Sequence, residues 1–242
     1  MQPLDSFAFK DLFSPAHRRS LLGAFVLLAA AYIVEHFANV YAFAYSERPT
    51  STHVGDIFLD NIPAVDLTFI IIEVALVSII LSVLYVLSKP RYVLFSLKAV
   101  ALFIIIRALF ISLTHVGVYP DQIVPGLGFF DNIYTYLNFQ LGFFFSGHTA
   151  LPFLMALIFW NKPLPRFIFI ALSFVFGVAV LLTHTHYSID VLAAPFMAYG
   201  IFKIACYLFP RDYELIKTPG FGEGASPESS SGAHRATRGR HA

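Results

Sequence analysis

Charge is what this chain has least of. Its 242 residues include 16 basic and 15 acidic side chains, 13% of the total, against 57% hydrophobic residues and 27 phenylalanines. An ordinary soluble domain is about a quarter charged. So few charges cannot cover the outside of a soluble protein of this length. The scarcity excludes disorder, a nucleic-acid-binding surface and an ordinary cytosolic enzyme for most of the sequence. Cysteine is almost missing as well. Cys206 stands alone, so it makes no internal disulfide, and it has none of the neighbours of a metal site. It reads as a small apolar side chain. The net charge of +1 says nothing about partners, and the lack of an internal repeat gives no support to an inverted-repeat transporter.

What is present is apolar sequence in long runs. A bilayer core about 30 Å thick needs roughly 20 apolar residues in a helix. Six stretches qualify, at about 21–44, 67–89, 93–115, 143–161, 165–184 and 187–209, the fourth being short. Each has to be helical, because an open strand in lipid leaves its backbone groups unpaired. The expected class is therefore all-α, an integral membrane bundle of six transmembrane helices. The first run follows some twenty residues of chain and is too long for a signal-peptide core, so it reads as a retained span.

The few charges then orient the bundle. Alternate connections carry Lys10, Arg18 and Arg19, then Lys89 and Arg91, then Lys162 and Arg166, and finally Arg211, Lys217, Arg235, Arg238 and Arg240. The other side has Arg48 alone. The expectation is that both termini are cytoplasmic. Three regions result: an N-terminal cytoplasmic segment (1–20), a membrane domain (21–210), and a C-terminal tail (211–242) that is largely disordered, since 219–242 is Gly-, Ser-, Pro- and Arg-rich. The longest outer connection, 116–147, has interfacial Tyr119, Tyr134 and Tyr136 and is broken by Pro120, Pro125, Gly126 and Gly128. It reads as an interfacial or re-entrant piece.

Ionisable groups within spans are costly and so are functional candidates. Lys98 and Lys203 lie near cytoplasmic ends and can snorkel. Glu35 with His36, and Glu73, are equally readable as polar pairs between helices. Arg107 lies about two turns below the outer end of its span and needs an anionic partner. Two segments are richer. Phe145-Ser146-Gly147-His148-Thr149 opens the fourth span with a good N-cap, a glycine that admits a ligand and a free helix start that binds anions. His184-Thr185-His186-Tyr187-Ser188-Ile189-Asp190 opens the sixth. His186 and Asp190 are four apart and share a helix face, so the carboxylate can fix the imidazole tautomer. The topology brings Ser146, His148, His186, Asp190 and Arg107 to the same outer side.

At these residues the chain resembles the type 2 phosphatidic acid phosphatase superfamily, in its sphingomyelin synthase-like branch. Ser-Gly-His-Thr followed by His-Tyr-Ser-x-Asp is similar to that branch's last two motifs, and Arg107 with Thr114 to a motif in its third span. Asn61-Ile62-Pro63 and Asp66 echo a further one faintly. Gln140-Leu141-Gly142 and Val180 depart from residues common in the superfamily. The resemblance implies that His186 is the nucleophile, oriented by Asp190, and that His148 is the general acid and base. It assigns Arg107, Ser146, Gly147, Thr149 and Tyr187 to substrate binding. It implies no metal and no cofactor. The substrate would be a phospholipid or lipid phosphate, with a ceramide or diacylglycerol acceptor if the head group is transferred, and the site would face the non-cytoplasmic side. Transfer and hydrolysis by water both stay open. The readings from other classes are a metal-dependent hydrolase using His148, His184 and His186, and a polar-lined channel or transporter.

Overall fold

The computed structural model describes residues 7–46, 48, 52–113, 116–123 and 144–217. The expected re-entrant piece, apart from 116–123 and 144–147, lies outside these, as do Thr114 and the tail beyond 217. The described chain is all-helical. A short helix α1 (Phe9–Leu12) leads into α2 (Arg18–Ser46), and α3 (Ala75–Leu87) is entered through a π-helical turn, Ile70–Val74. Then follow α4 (Pro90–Leu113), α5 (Gly147–Ile158), α6 (Pro163–Leu182), α7 (Ser188–Leu208) and α8 (Pro210–Lys217).

Five of these segments are long and apolar enough to cross a membrane: 18–46, 70–87, 90–113, 163–182 and 188–208. Their exposed large side chains, such as Phe37, Leu81, Phe174 and Phe196, suit contact with lipid. The expected fourth span differs. Helix α5 has 12 residues, about 18 Å at 1.5 Å per residue, which is short of a hydrocarbon core. It can be short because protein, not lipid, surrounds it. Ala150, Leu154, Ala156 and Phe159 at its end are fully buried, and α5 packs against α4, α6 and α7. A helix that is apolar all round belongs in a core. Ser146 N-caps it, its hydroxyl accepting from the Thr149 amide at 3.4 Å. Gly177 lets α6 approach closely: a Cβ there would lie 3.3 Å from Thr149 Oγ1.

Aromatic stacking closes the core at the other end, with Tyr92 over Phe159 at 4.6 Å and Phe159 near Phe169 at 6.0 Å. Below it, α8 folds back onto α4. Lys98 donates to Asp212 at 2.6 Å and to Ser20 at 2.8 Å, so Lys98 is an ion-pair partner and not merely a snorkelling cation. Lys203 lies over the Tyr199 ring. The C-terminal region expected from 211 onwards thus begins with a docked helix.

The opposite end of the bundle is capped by the connections 52–66 and 116–123. Val65 donates to the Leu182 carbonyl at 2.8 Å and Ile123 to that of Thr183 at 3.0 Å. Gly117 donates to Thr52 at 3.0 Å. The first two bonds hold the α6–α7 turn, which carries the second histidine motif, and the third joins the two connections to each other.

Candidate active site

The α6–α7 turn begins with a helix stop. Helix α6 ends at Leu182 with Thr183 as its C-cap. His184 adopts φ 54°, the His184 amide donates to Leu181 and the Thr185 amide to Val180, both at 3.0 Å. That is a Schellman arrangement, in which glycine usually takes the left-handed position. His184 is buried, packs edge-on against Tyr119 at 5.2 Å, and its two ring nitrogens have no hydrogen-bond partner among the described residues. Its ring packs on Tyr119, whereas His148 and His186 pair with each other.

The stop returns the chain so that His186 can drop inward. His186 Nδ1 lies 3.2 Å from Asp190 Oδ2, and the same oxygen accepts the Tyr187 amide at 3.1 Å. Both side chains are buried. Aspartate at this place in the first turn of α7 also suits the positive end of the helix dipole. The main-chain carbonyl of Asp190 accepts the Ser146 amide at 3.2 Å, which ties the start of α5 to the start of α7. The histidines at the two helix starts consequently face one another, with ring centroids 6.4 Å apart.

A carbonyl holds the second ring. His148 Nε2 is 3.0 Å from the carbonyl oxygen of Ile71. The amide of Ala75 donates to Ile70 and Ile72 and passes over Ile71, so the π-turn releases that carbonyl from the helix. A carbonyl only accepts, and the hydrogen of this bond therefore belongs to His148 Nε2. Turns of this kind recur at functional sites.

Arg107 supplies the positive charge. Its Nη1 donates to Glu35 Oε1 at 2.7 Å and its Nε to the Phe145 carbonyl at 3.2 Å. The anionic partner that Arg107 requires is thus Glu35 of α2, while the neighbouring His36 stands on an exposed face. Gly147 lies under the guanidinium: a Cβ there would sit 3.3 Å from Arg107 Nε. Glu35, Arg107, Gly147, His148 and His186 line one cavity of about 260 Å³.

Ser146, Thr149, Asp190 and Tyr187 do not line that cavity. Ser146 and Thr149 cap α5, Thr149 accepting Ser173 Oγ at 2.7 Å through its carbonyl. Asp190 stands behind His186. Tyr187 Oη donates to the Gly117 carbonyl at 2.9 Å and belongs to the cap formed by 52–66 and 116–123. Glu73 is half-buried in the π-turn and is not a lining residue.

Two carboxylates missed in the sequence brace the site from outside. Asp56 Oδ2 accepts the Ser188 amide at 2.7 Å, capping α7 from a connection more than a hundred residues away. Burial raises the Asp56 pKa, but bonds from Ser188, Phe58 and Leu59 outweigh it and hold the group below its usual range. Asp60 accepts the Tyr119 hydroxyl at 2.7 Å and pushes that pKa up to about 12. Nothing local in the sequence marks these two as more than loop acids. Asp66, in the faint motif, caps its own helix through Thr68 and is exposed.

The fold and site define an all-helical, membrane-type protein with a cavity lined by two histidines, an arginine and a glutamate, one histidine being backed by an aspartate. Among the described residues, no three His, Cys, Asp or Glu side chains gather as a metal site. Residues 143–207, which contain both histidine motifs, match the family model of the PAP2 superfamily C-terminal region. That match supports the type 2 phosphatidic acid phosphatase superfamily, and with it phosphatase or phosphotransferase action on phosphate esters. No curated protein matches the chain.

Proposed function

We propose that this protein is an integral membrane lipid phosphotransferase or lipid phosphate phosphatase that works through a phosphohistidine. The observation that carries the reading is the one cavity into which α4, α5 and the α6–α7 turn bring Arg107, His148 and His186. Asp190 holds Nδ1 of His186, which leaves Nε2 to attack phosphorus. A P–N bond forms as the P–O bond to the lipid alcohol breaks. His148, whose Nε2 hydrogen is committed to Ile71, exchanges its catalytic proton through Nδ1 and gives it to the departing oxygen. Arg107, over the open start of α5, meets the phosphoryl oxygens, and the helix amides add a positive potential.

In the second half His148 takes a proton from water or from an acceptor alcohol. The oxygen attacks phosphorus, the P–N bond breaks, and His186 is regenerated. Water gives a phosphatase. A lipid alcohol such as ceramide or diacylglycerol gives head-group transfer of the sphingomyelin synthase-like kind. The motif order favours that branch. By the distribution of basic residues the site faces the non-cytoplasmic side.

Purified protein given phosphorus-labelled lipid should carry acid-labile label on His186, and His186→Ala should lose both label and turnover. Turnover in His186→Ala close to that of the natural protein would overturn the reading. Adding ceramide or diacylglycerol separates transfer from hydrolysis by the product formed.

A further inference from the structure

The contact between Glu35 and Arg107 is a single bond where two are usual. A guanidinium and a carboxylate commonly pair as two forks, through two parallel bonds. Here Nη1 of Arg107 meets Oε1 of Glu35 at 2.7 Å, Nε is spent on the Phe145 carbonyl, and Nη2 takes part in neither bond. Glu35 Oε2 is buried and has no hydrogen-bond partner among the described residues. A buried carboxylate oxygen is costly unless something donates to it.

The same helix carries the complementary atom. Asn39 follows Glu35 by one turn of α2 and is buried beside the cluster of Ala38, Ala42, Ala108 and Ile111 that joins α2 to α4. Its Nδ2 also has no partner among the described residues, and an amide among alanines is itself costly unless bonded. Residues four apart on a helix are neighbours, with Cβ atoms roughly 5–6 Å apart. Nδ2 is a donor and Oε2 an acceptor. The two make no direct bond, and their spacing suits one water that accepts from the first and donates to the second.

We infer that Asn39 is a positioning residue for the phosphate site: through one bridging water its amide holds Oε2 of Glu35, keeps the Glu35–Arg107 contact single, and so leaves Nη2 of Arg107 for a phosphoryl oxygen. The inference deepens the function proposed above and rests on it. Without the amide, the carboxylate turns and closes a two-bond clamp across Nη1 and Nη2. The clamp takes the nitrogen that the phosphate needs and sets a second carboxylate oxygen against the anion. Asn39 itself does not line the cavity and acts through Glu35.

Asn39→Leu removes the amide at similar volume. On dioleoyl phosphatidic acid its kcat/KM should fall about ten- to a hundredfold, the worth of one hydrogen bond to a charged group. In a Glu35→Gln background the same change should cost less than about twofold, since a neutral side chain closes no clamp and the two effects are then not additive. Equal losses in both backgrounds would mean that Asn39 serves packing alone and would overturn the inference, as would full activity in Asn39→Leu. Asn39→Ala repeats the comparison without the bulk of leucine, so a folding defect in one variant does not decide the result. Infrared difference spectra of the full protein in nanodiscs read the contact itself. The carboxylate bands that Glu35→Gln removes should shift in Asn39→Leu, and unshifted bands overturn the clamp. Binding is read apart from turnover with radiolabelled inorganic phosphate, which Asn39→Leu should bind more weakly by a similar factor; equal binding overturns the inference. Weakened phosphate binding in a protein that turns over no phosphate ester would instead overturn the proposed reaction and leave the role of Asn39 standing.

Discussion

The Glu35–Arg107 pair is where a single residue changes the chemistry on offer. A guanidinium inside an apolar bundle is costly alone, and Glu35 offsets that cost while occupying one of its terminal nitrogens. The pair therefore presents a partly neutralised cation to an incoming phosphate and holds it rigidly over Gly147. A double-mutant cycle of Glu35→Ala and Arg107→Ala, read by thermal unfolding in detergent, should give a coupling of about 0.5–3 kcal/mol. Each single change should also lower kcat/KM, and additive stabilities would mean the contact does not hold Arg107 in place. The need for an anion beside Arg107 was legible in the sequence. Its identity was not, because Glu35 precedes Arg107 by 72 residues and only the packing of α2 on α4 brings them together. His184 shows the converse. Its place in a histidine-rich motif draws attention to its ring, yet the structure uses its backbone to end α6.

At the scale of elements, the site is an arrangement of helix ends. Ser146 starts α5, Tyr187 precedes α7, and a π-turn enters α3, so three irregular junctions meet where the chemistry is. The junctions at 146 and 187 could be read from capping residues and motif spacing. The π-turn could not, since Ile-Ile-Ile-Glu-Val is apolar helix by any periodicity and nothing in it announces a released carbonyl. Deleting Ile70 should restore α-helical pairing and remove the hold on His148. On an alkyl phosphate ester, whose leaving group needs a proton, kcat should then fall about a hundredfold, at the low end of a general acid's contribution. On p-nitrophenyl phosphate, whose leaving group needs none, the loss should be under about tenfold for the same reason. Comparable losses on both substrates would mean that the turn serves only the fold. Asp56 works on the same scale, since it caps α7 from across the chain.

For the whole molecule, the helices are held at both ends by polar ties that the apolar spans could not supply. The cap joins 52–66 and 116–123 to the α6–α7 turn, and Lys98, Asp212 and Ser20 tie α4, α8 and α2 at the other end. The orientation read from the basic residues predicts which end meets which compartment. With Cys206 replaced by Ala, a cysteine at Val54 should react with an impermeant maleimide added outside intact cells, whereas one at Lys217 should react only after permeabilisation. The reverse pattern would move the site to the cytoplasmic side.

The membrane character, the helical class, the approximate bounds of five spans and the two histidine motifs all came from the sequence by itself. Each depends on composition or on spacing within a few turns, and such signals survive without knowing what packs on what. The tertiary structure alone decided the rest: that α5 is a short buried helix enclosed by its neighbours, that Arg107 answers to Glu35, that His148 is held by a carbonyl of the π-turn, and that Tyr187 belongs to the cap and not to the cavity wall. These are contacts between residues far apart in the chain. Their geometry is set by how the helices pack, which no local pattern encodes.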